Sequence, residues 1–261
     1  MTFSLDQFSL RDKVAIVTGA GGRRNSIGEA YAKGLSGVGA AVVVADLSLE
    51  GAQRVAAEIT AGGGKAISVQ VDIADQTSVG RMVAAAEAAY GGVDILVNNA
   101  ALMVEVVSTP AMAITEEAWN KVIAVNLTGA LFCSQAVAPS MRKRGGGKIV
   151  NQSSAGAYPA ASVYGITKLA LVGLTTTLAR ELGPHNINVN AIAPGVTGSD
   201  AGRSLTPPDS PYRAMMKMMT AMRVDGEPDE LVGALLLLCS PAGAWITGQV
   251  LHLDGGATLR P

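Results

Sequence analysis

Residues 13–46 read KVAIVTGAGGRRNSIGEAYAKGLSGVGAAVVVAD. Lys13–Thr18 (KVAIVT) is a short, near-continuous apolar run, the pattern of a strand buried on both faces. A glycine-rich stretch follows, from Thr18 to Gly28 (TGAGGRRNSIG), and then a helical pattern over Ile27–Leu35. Ala41–Asp46 (AVVVAD) is a second buried strand. Strand, glycine-rich turn, helix and strand in this order form a βαβ unit, whose crossover helix makes the two strands parallel.

The same rhythm runs outward through the chain. Ala66–Val71, Val93–Val97, Lys148–Asn151, Ile187–Ile192 and Gln249–Leu253 read as further strands. Leu49–Thr60, Ser78–Tyr90, Glu116–Arg142, Val163–Leu182 and Asp229–Leu238 read as helices between them. Such alternation predicts a doubly wound α/β fold: a seven-stranded, mostly parallel sheet with helices on both faces. No linker divides it, so residues 1–261 read as one domain. One segment breaks the rhythm. Residues 197–227 are rich in Gly, Pro, Ser and Asp and carry Met215, Met216, Met218, Met219 and Met222. Ligands of such sheets bind beyond the carboxyl ends of the strands, so this insertion reads as a substrate lid. A Met cluster moulds to apolar ligands. A helix packed on the core, or an oligomer interface, accounts for the methionines equally well.

Composition excludes several function classes. The 49% hydrophobic and 16% charged residues exclude a disordered chain. A net charge of -1 argues against nucleic acid as the main partner, which needs concentrated positive charge. The two cysteines, Cys133 and Cys239, and the two histidines, His185 and His252, are each isolated, so no metal site is expected. Hydrolysis by Ser, His and Asp would have to use one of those histidines. The longest apolar runs, Ala40–Ala45 and Ala234–Cys239, are too short for a membrane span, and Met1–Lys13 lacks an export pattern. A cytoplasmic setting without membrane partners is expected.

The turn after the first strand has the chemistry of a dinucleotide site. Glycines let the backbone approach a pyrophosphate and leave a helix N-terminus facing the anion. No Gly-Lys-Ser/Thr follows, so it is not a P-loop. Asp46 ends the second strand, where a carboxylate accepts hydrogen bonds from ribose hydroxyls and repels a 2′-phosphate. It favours NAD over NADP, although it could also cap the next helix. Arg23 and Arg24, in the same turn, are the opposing signal.

Tyr164 and Lys168 lie four apart on a helix and share a face. A free phenol with a pKa near ~10 is a poor base at neutral pH, and a neighbouring ammonium lowers that value. The pair can then exchange a proton with an alcohol or a carbonyl without histidine or metal. Taken alone, such spacing usually marks a solvated helix face.

The glycine-rich turn, Asn98-Asn99-Ala100, Asn126, Ser153/Ser154, Tyr164…Lys168 and Pro194-Gly195 occur in the order seen in short-chain dehydrogenases/reductases. The chain resembles that family from about Leu10 to Gly256. The resemblance implies a Rossmann fold and a proton exchanged by Tyr164. Lys168 would lower the Tyr pKa and bond the nicotinamide ribose, a serine would polarise the carbonyl, and Asn126 would hold a relay water. It also implies a cofactor lined by Gly19, Ser26, Ile27, Asp46, Asp72, Ile73, Asn99, Ala100, Pro194, Gly195, Val196 and Thr197. Homodimers or homotetramers built on the long helices are implied as well. Asn99, Asn126 and Asp72 could instead be local capping or turn residues.

Strand register puts the catalytic serine at Ser154, whereas a gap placed earlier favours Ser153. The first turn is about three residues longer than the family's usual form, with Ser26 at a glycine position, and it resembles the enoyl reductase branch. Ala101 replaces a usual glycine. The close Tyr164–Lys168 spacing resembles the carbonyl/alcohol branch. The expected activity interconverts a secondary alcohol and a ketone, with an apolar small-molecule substrate. The alternatives are an enoyl reductase acting on an acyl thioester and a non-catalytic nucleotide sensor.

Overall fold

The computed structural model describes residues 4–104, 106–207, 209–223 and 225–259. Its strands are β1 (Val14–Thr18), β2 (Ala41–Asp46), β3 (Lys65–Gln70), β4 (Ile95–Asn98), β5 (Gly147–Gln152), β6 (Ile187–Pro194) and β7 (Val250–Leu253). They form one seven-stranded sheet in the order β3-β2-β1-β4-β5-β6-β7. Every strand pair is parallel. The sheet therefore agrees with the doubly wound Rossmann expectation.

Alternation along the strands supplies two cores. Ala15, Val17, Val42 and Val44 face one side, where Tyr31 and Leu35 of α1 (Ile27–Gly37) pack. Val55 of α2 (Leu49–Ala61) and Leu235 of the later helix Val232–Cys239 complete that layer. Ile16, Val43 and Ala45 face the other side, against Met82 of α3 (Gln76–Tyr90). Burial of side chains of this size contributes roughly 1.5–3 kcal/mol each.

The expected helix Glu116–Arg142 is interrupted. It consists of α4 (Glu116–Ile123), one π-turn over Ala124–Thr128, and α5 (Gly129–Lys143). The whole span, Glu116–Lys143, is long and apolar enough to cross a bilayer by length and composition. Here its Cys133, Val137 and Met141 fill the second core. Behind it lies α6 (Val163–Leu182).

Residues 197–227 are more ordered than their composition predicts. They hold α7 (Asp200–Leu205) and α8 (Pro211–Met219), capped by Ser199 and Ser210 respectively. Val232–Cys239 then forms α9. A parallel bridge between Thr197 and Gly226 closes the base of the insertion. Met215, Met218, Met219 and Met222 are exposed, so these four are not core residues of this chain.

Candidate active site

The strand order reverses between β1 and β4, where crossovers leave on opposite faces and open a crevice at the carboxyl ends. A cavity of about 590 Å³ lies there. It is lined by Gly19, Ser26, Ile27, Asp46, Asp72, Ile73, Asn99 and Ala100 from the first half of the fold. Ser153, Ser154, Tyr164, Lys168, Pro194, Gly195 and Thr197 line it from the second half. Of the residues implied by sequence, Val196 and Asn126 are not among those lining it. A wider hollow of about 870 Å³ lies at the amino ends of β1–β3, beside Lys33 and Glu58. Its Lys33 is paired with Glu29 and Glu58.

The turn after β1 leaves no room for a side chain at Gly19, Gly21 or Gly28. A Cβ on Gly28 would lie 2.3 Å from the Gly19 carbonyl oxygen and 2.5 Å from Asn99 Nδ2. Asn99 Nδ2 donates to the carbonyls of Thr18 (2.9 Å) and Gly19 (3.0 Å), so its side chain holds the turn. Thr18 Oγ1 accepts from the N–H groups of Asn99 (3.1 Å) and Ala100 (3.2 Å), stapling β1 to the end of β4. Sequence reading passed over this threonine because its partners are about eighty positions away.

Ser26, at the position of a usual glycine, is the N-cap of α1, its Oγ accepting from Glu29 N–H at 3.1 Å. The N–H groups of Ile27 and Gly28 have no acceptor among the described residues and border the cavity. Unpaired donors at a helix N-terminus fit a diphosphate. Asp46 Oδ2 accepts from Gly21 N–H (2.8 Å) and Oδ1 from Ser48 N–H (2.9 Å). The carboxylate is thereby fixed at the cavity wall with lone pairs left for ribose hydroxyls. Asp46 is not the N-cap of α2; Ser48 is. Arg23 also lines the cavity. Asp72 Oδ1 accepts from Ala74 N–H at 2.9 Å, a local turn at the cavity edge.

The second half supplies hydroxyls and an amine. After β5 the chain makes one tight turn over Ala155–Ala157, and Ser162 caps α6. A Cβ on Gly165 would lie 2.7 Å from the Gly156 carbonyl oxygen. Only glycine lets the first turn of α6 press so close, and this seats Tyr164 against Ser154. Ser154 Oγ accepts from Gly156 N–H at 3.1 Å and lies near enough to the Tyr164 phenol to favour its ionised form. Ser153 Oγ instead donates to the Lys168 carbonyl at 3.1 Å and is buried. Adjacent serines thus serve different partners, as strand alternation requires.

Burial acts on both groups of the pair. Burial pushes the Tyr164 phenol above its ordinary range, and only the Ser154 hydroxyl pulls it down. Burial pushes Lys168 down, to about 7. Lys168 Nζ stands 5.4 Å from the Tyr164 ring centre and donates to the Gln152 carbonyl at 2.6 Å. In this form Lys168 does not lower the phenol, because a fully buried amine resists charge.

Asn126 is 2% exposed. Its Oδ1 accepts from Leu102 N–H (2.8 Å) and its Nδ2 donates to Leu102 O (3.0 Å). Nδ2 also donates to Thr167 Oγ1 (3.0 Å), which donates to the Tyr164 carbonyl (2.7 Å). The π-turn places Asn126 in this position, where its side chain braces, through Thr167, the backbone of Tyr164. Among the described residues, no group of three His, Cys, Asp or Glu side chains could hold a metal.

Residues 21–258 match the family described as Enoyl-(Acyl carrier protein) reductase. An uncharacterized oxidoreductase of Mycobacterium tuberculosis (strain ATCC 25618 / H37Rv) is 45% identical over 248 residues, 95% of this chain and 98% of that protein. A 7α-hydroxysteroid dehydrogenase solved with NADH and 7-oxo glycochenodeoxycholic acid superposes with a TM-score of 0.89 at 34% identity, covering 98% of each chain. A Beutenbergia cavernae structure with bound NADP at low occupancy gives a TM-score of 0.86 at 34% identity, covering 96% of this chain and 98% of that one. The sheet order, the crevice and these likenesses together place the chain in the short-chain dehydrogenase/reductase family of oxidoreductases.

Proposed function

We propose that this chain is an NAD-preferring oxidoreductase that interconverts a secondary alcohol and a ketone. The observation that carries the reading is that Ser154, Tyr164 and Lys168 line the same crevice as Asp46 and the α1 N-terminus, with Tyr164 and Lys168 one helical turn apart. Bound nicotinamide supplies or accepts the hydride. Ser154 donates a hydrogen bond to the carbonyl oxygen and orients it. Tyr164 gives its proton to that oxygen on reduction, and takes it back on oxidation. Lys168, in its charged form, steadies the phenolate. Asp46 receives the adenosine ribose hydroxyls, which supports NAD over NADP, with Asp72 and Ile73 beside the adenine.

Leu102, Met103 and Val104 line the crevice and support an apolar small-molecule substrate beneath the 197–227 segment. The exposed Leu169 on α6 supports pairing of copies through the long helices, as a homodimer or homotetramer in the cytoplasm. Sedimentation tests this: a monomer at micromolar concentration refutes the pairing.

A second reading, an enoyl reductase acting on an acyl thioester, is favoured by the long first turn and by the description of the matched family. Assay of NADH oxidation with ketones beside enoyl thioesters separates the two. Turnover of ketones alone is expected. Turnover of enoyl thioesters alone refutes the first reading.

A further inference from the structure

The longer first turn contains a contact across the crevice. Gly21 is pinned by Asp46, and Ser26 is fixed as the cap of α1. Between them Gly22, Arg23, Arg24 and Asn25 loop outward and are exposed. Asn25 adopts a left-handed backbone (φ 49°), which costs a non-glycine residue about 1 kcal/mol. Its Nδ2 donates to the Gly198 carbonyl at 2.9 Å. Gly198 belongs to the opposite wall, where Thr197, Ser199 and Ala201 border the same cavity as Gly22, Arg23 and Ser26.

Gly198 is also the foot of the insertion. Its N–H donates to the Gly226 carbonyl at 2.8 Å, and the Gly226 N–H donates to Val196 O at 3.0 Å. Both legs of residues 197–227 therefore meet where Asn25 attaches. The foot of the segment cannot move away from the crevice without either breaking this hydrogen bond or dragging the turn after β1.

We propose that Asn25 is a cofactor-retaining residue. Its bond to Gly198 straps the dinucleotide crevice, so that release of the cofactor and opening of the substrate segment are one event. This rests on the dinucleotide reading above. Asn25 touches no reacting group, and its role is retention, not chemistry.

The test uses the full chain with Asn25→Ala, Asn25→Gly and Asn25→Asp. Asn25→Gly removes the left-handed strain together with the strap, and Asn25→Asp keeps the shape without the donor. NADH release is followed by stopped-flow fluorescence, and amide exchange across residues 199–223 is followed without cofactor. One hydrogen bond of ordinary net strength predicts release about tenfold faster in all three variants. Exchange across α7 and α8 rises in parallel, while the melting temperature stays at the wild-type value. Release and exchange both within twofold of wild type overturn the strap. Unchanged release with faster exchange also overturns it, because the two motions are then separate. If the wild type binds no NADH, the dinucleotide reading fails, and the retention proposal fails with it. Exchange alone then reports only whether Asn25 tethers the segment.

Discussion

Lys168 Nζ stands 5.4 Å from the centre of the Tyr164 ring while donating to the Gln152 carbonyl at 2.6 Å. The amine is thus held beside the phenol by the end of β5 and not by the phenol itself. Gln152 is in turn gripped by Tyr31 of α1, whose hydroxyl donates to Gln152 Oε1 at 2.9 Å. The end of β5, α1 and α6 therefore meet at one residue.

Lys168 makes stability depend on pH. Burial lowers its folded value to about 7, against 10.5 for the free side chain. Between those values the unfolded chain binds a proton that the folded chain does not, so stability rises with pH through this window. Urea denaturation at pH 7, 8 and 9 should show wild type gaining on Lys168→Met as pH rises. Parallel curves for the two proteins would contradict the buried, neutral amine.

The two serines separate by substitution. Ser154→Ala removes the hydroxyl beside Tyr164 in the crevice and should lower kcat about 10²-fold or more. Ser153→Ala removes a bond to the Lys168 carbonyl and should cost about 1 kcal/mol of stability with most turnover retained. The reverse ranking in steady-state kinetics would move the catalytic role to Ser153.

On the proposed reading, Asp46 sets the cofactor preference. Wild-type kcat/KM for NADH should exceed that for NADPH by tenfold or more, since a carboxylate repels a 2′-phosphate. Asp46→Ala should erase this preference. It should also lower the melting temperature, because Gly21 and Ser48 lose their acceptor. A wild type faster with NADPH would make Arg23 the deciding group.

Much of this architecture is legible in local pattern. The runs AVVVAD and KVAIVT are apolar on both faces, and the structure makes them adjacent, doubly covered strands. Ser199 and Ser210 are readable helix caps, although the Gly and Pro around them make the segment look irregular. What escapes is what depends on distant partners. The π-turn around Asn126 is set by Leu102 and Thr167, and no periodicity within Glu116–Arg142 reveals it. The burial of Tyr164 and Lys168 is hidden from the sequence for the same reason. Spacing of four shows that the groups are neighbours, but burial decides their protonation. Ser153 and Ser154 are separated only by what each side chain meets.

The central claim is that Tyr164 exchanges the proton. The most direct test is Tyr164→Phe, with NADH binding and turnover on a ketone panel measured on the same preparation. The phenyl ring keeps its packing against Val106, Val122 and Val163, so binding should be unchanged. Turnover should fall by about 10³-fold, within the range of a lost general acid. A variant that binds NADH and retains wild-type turnover would contradict the account.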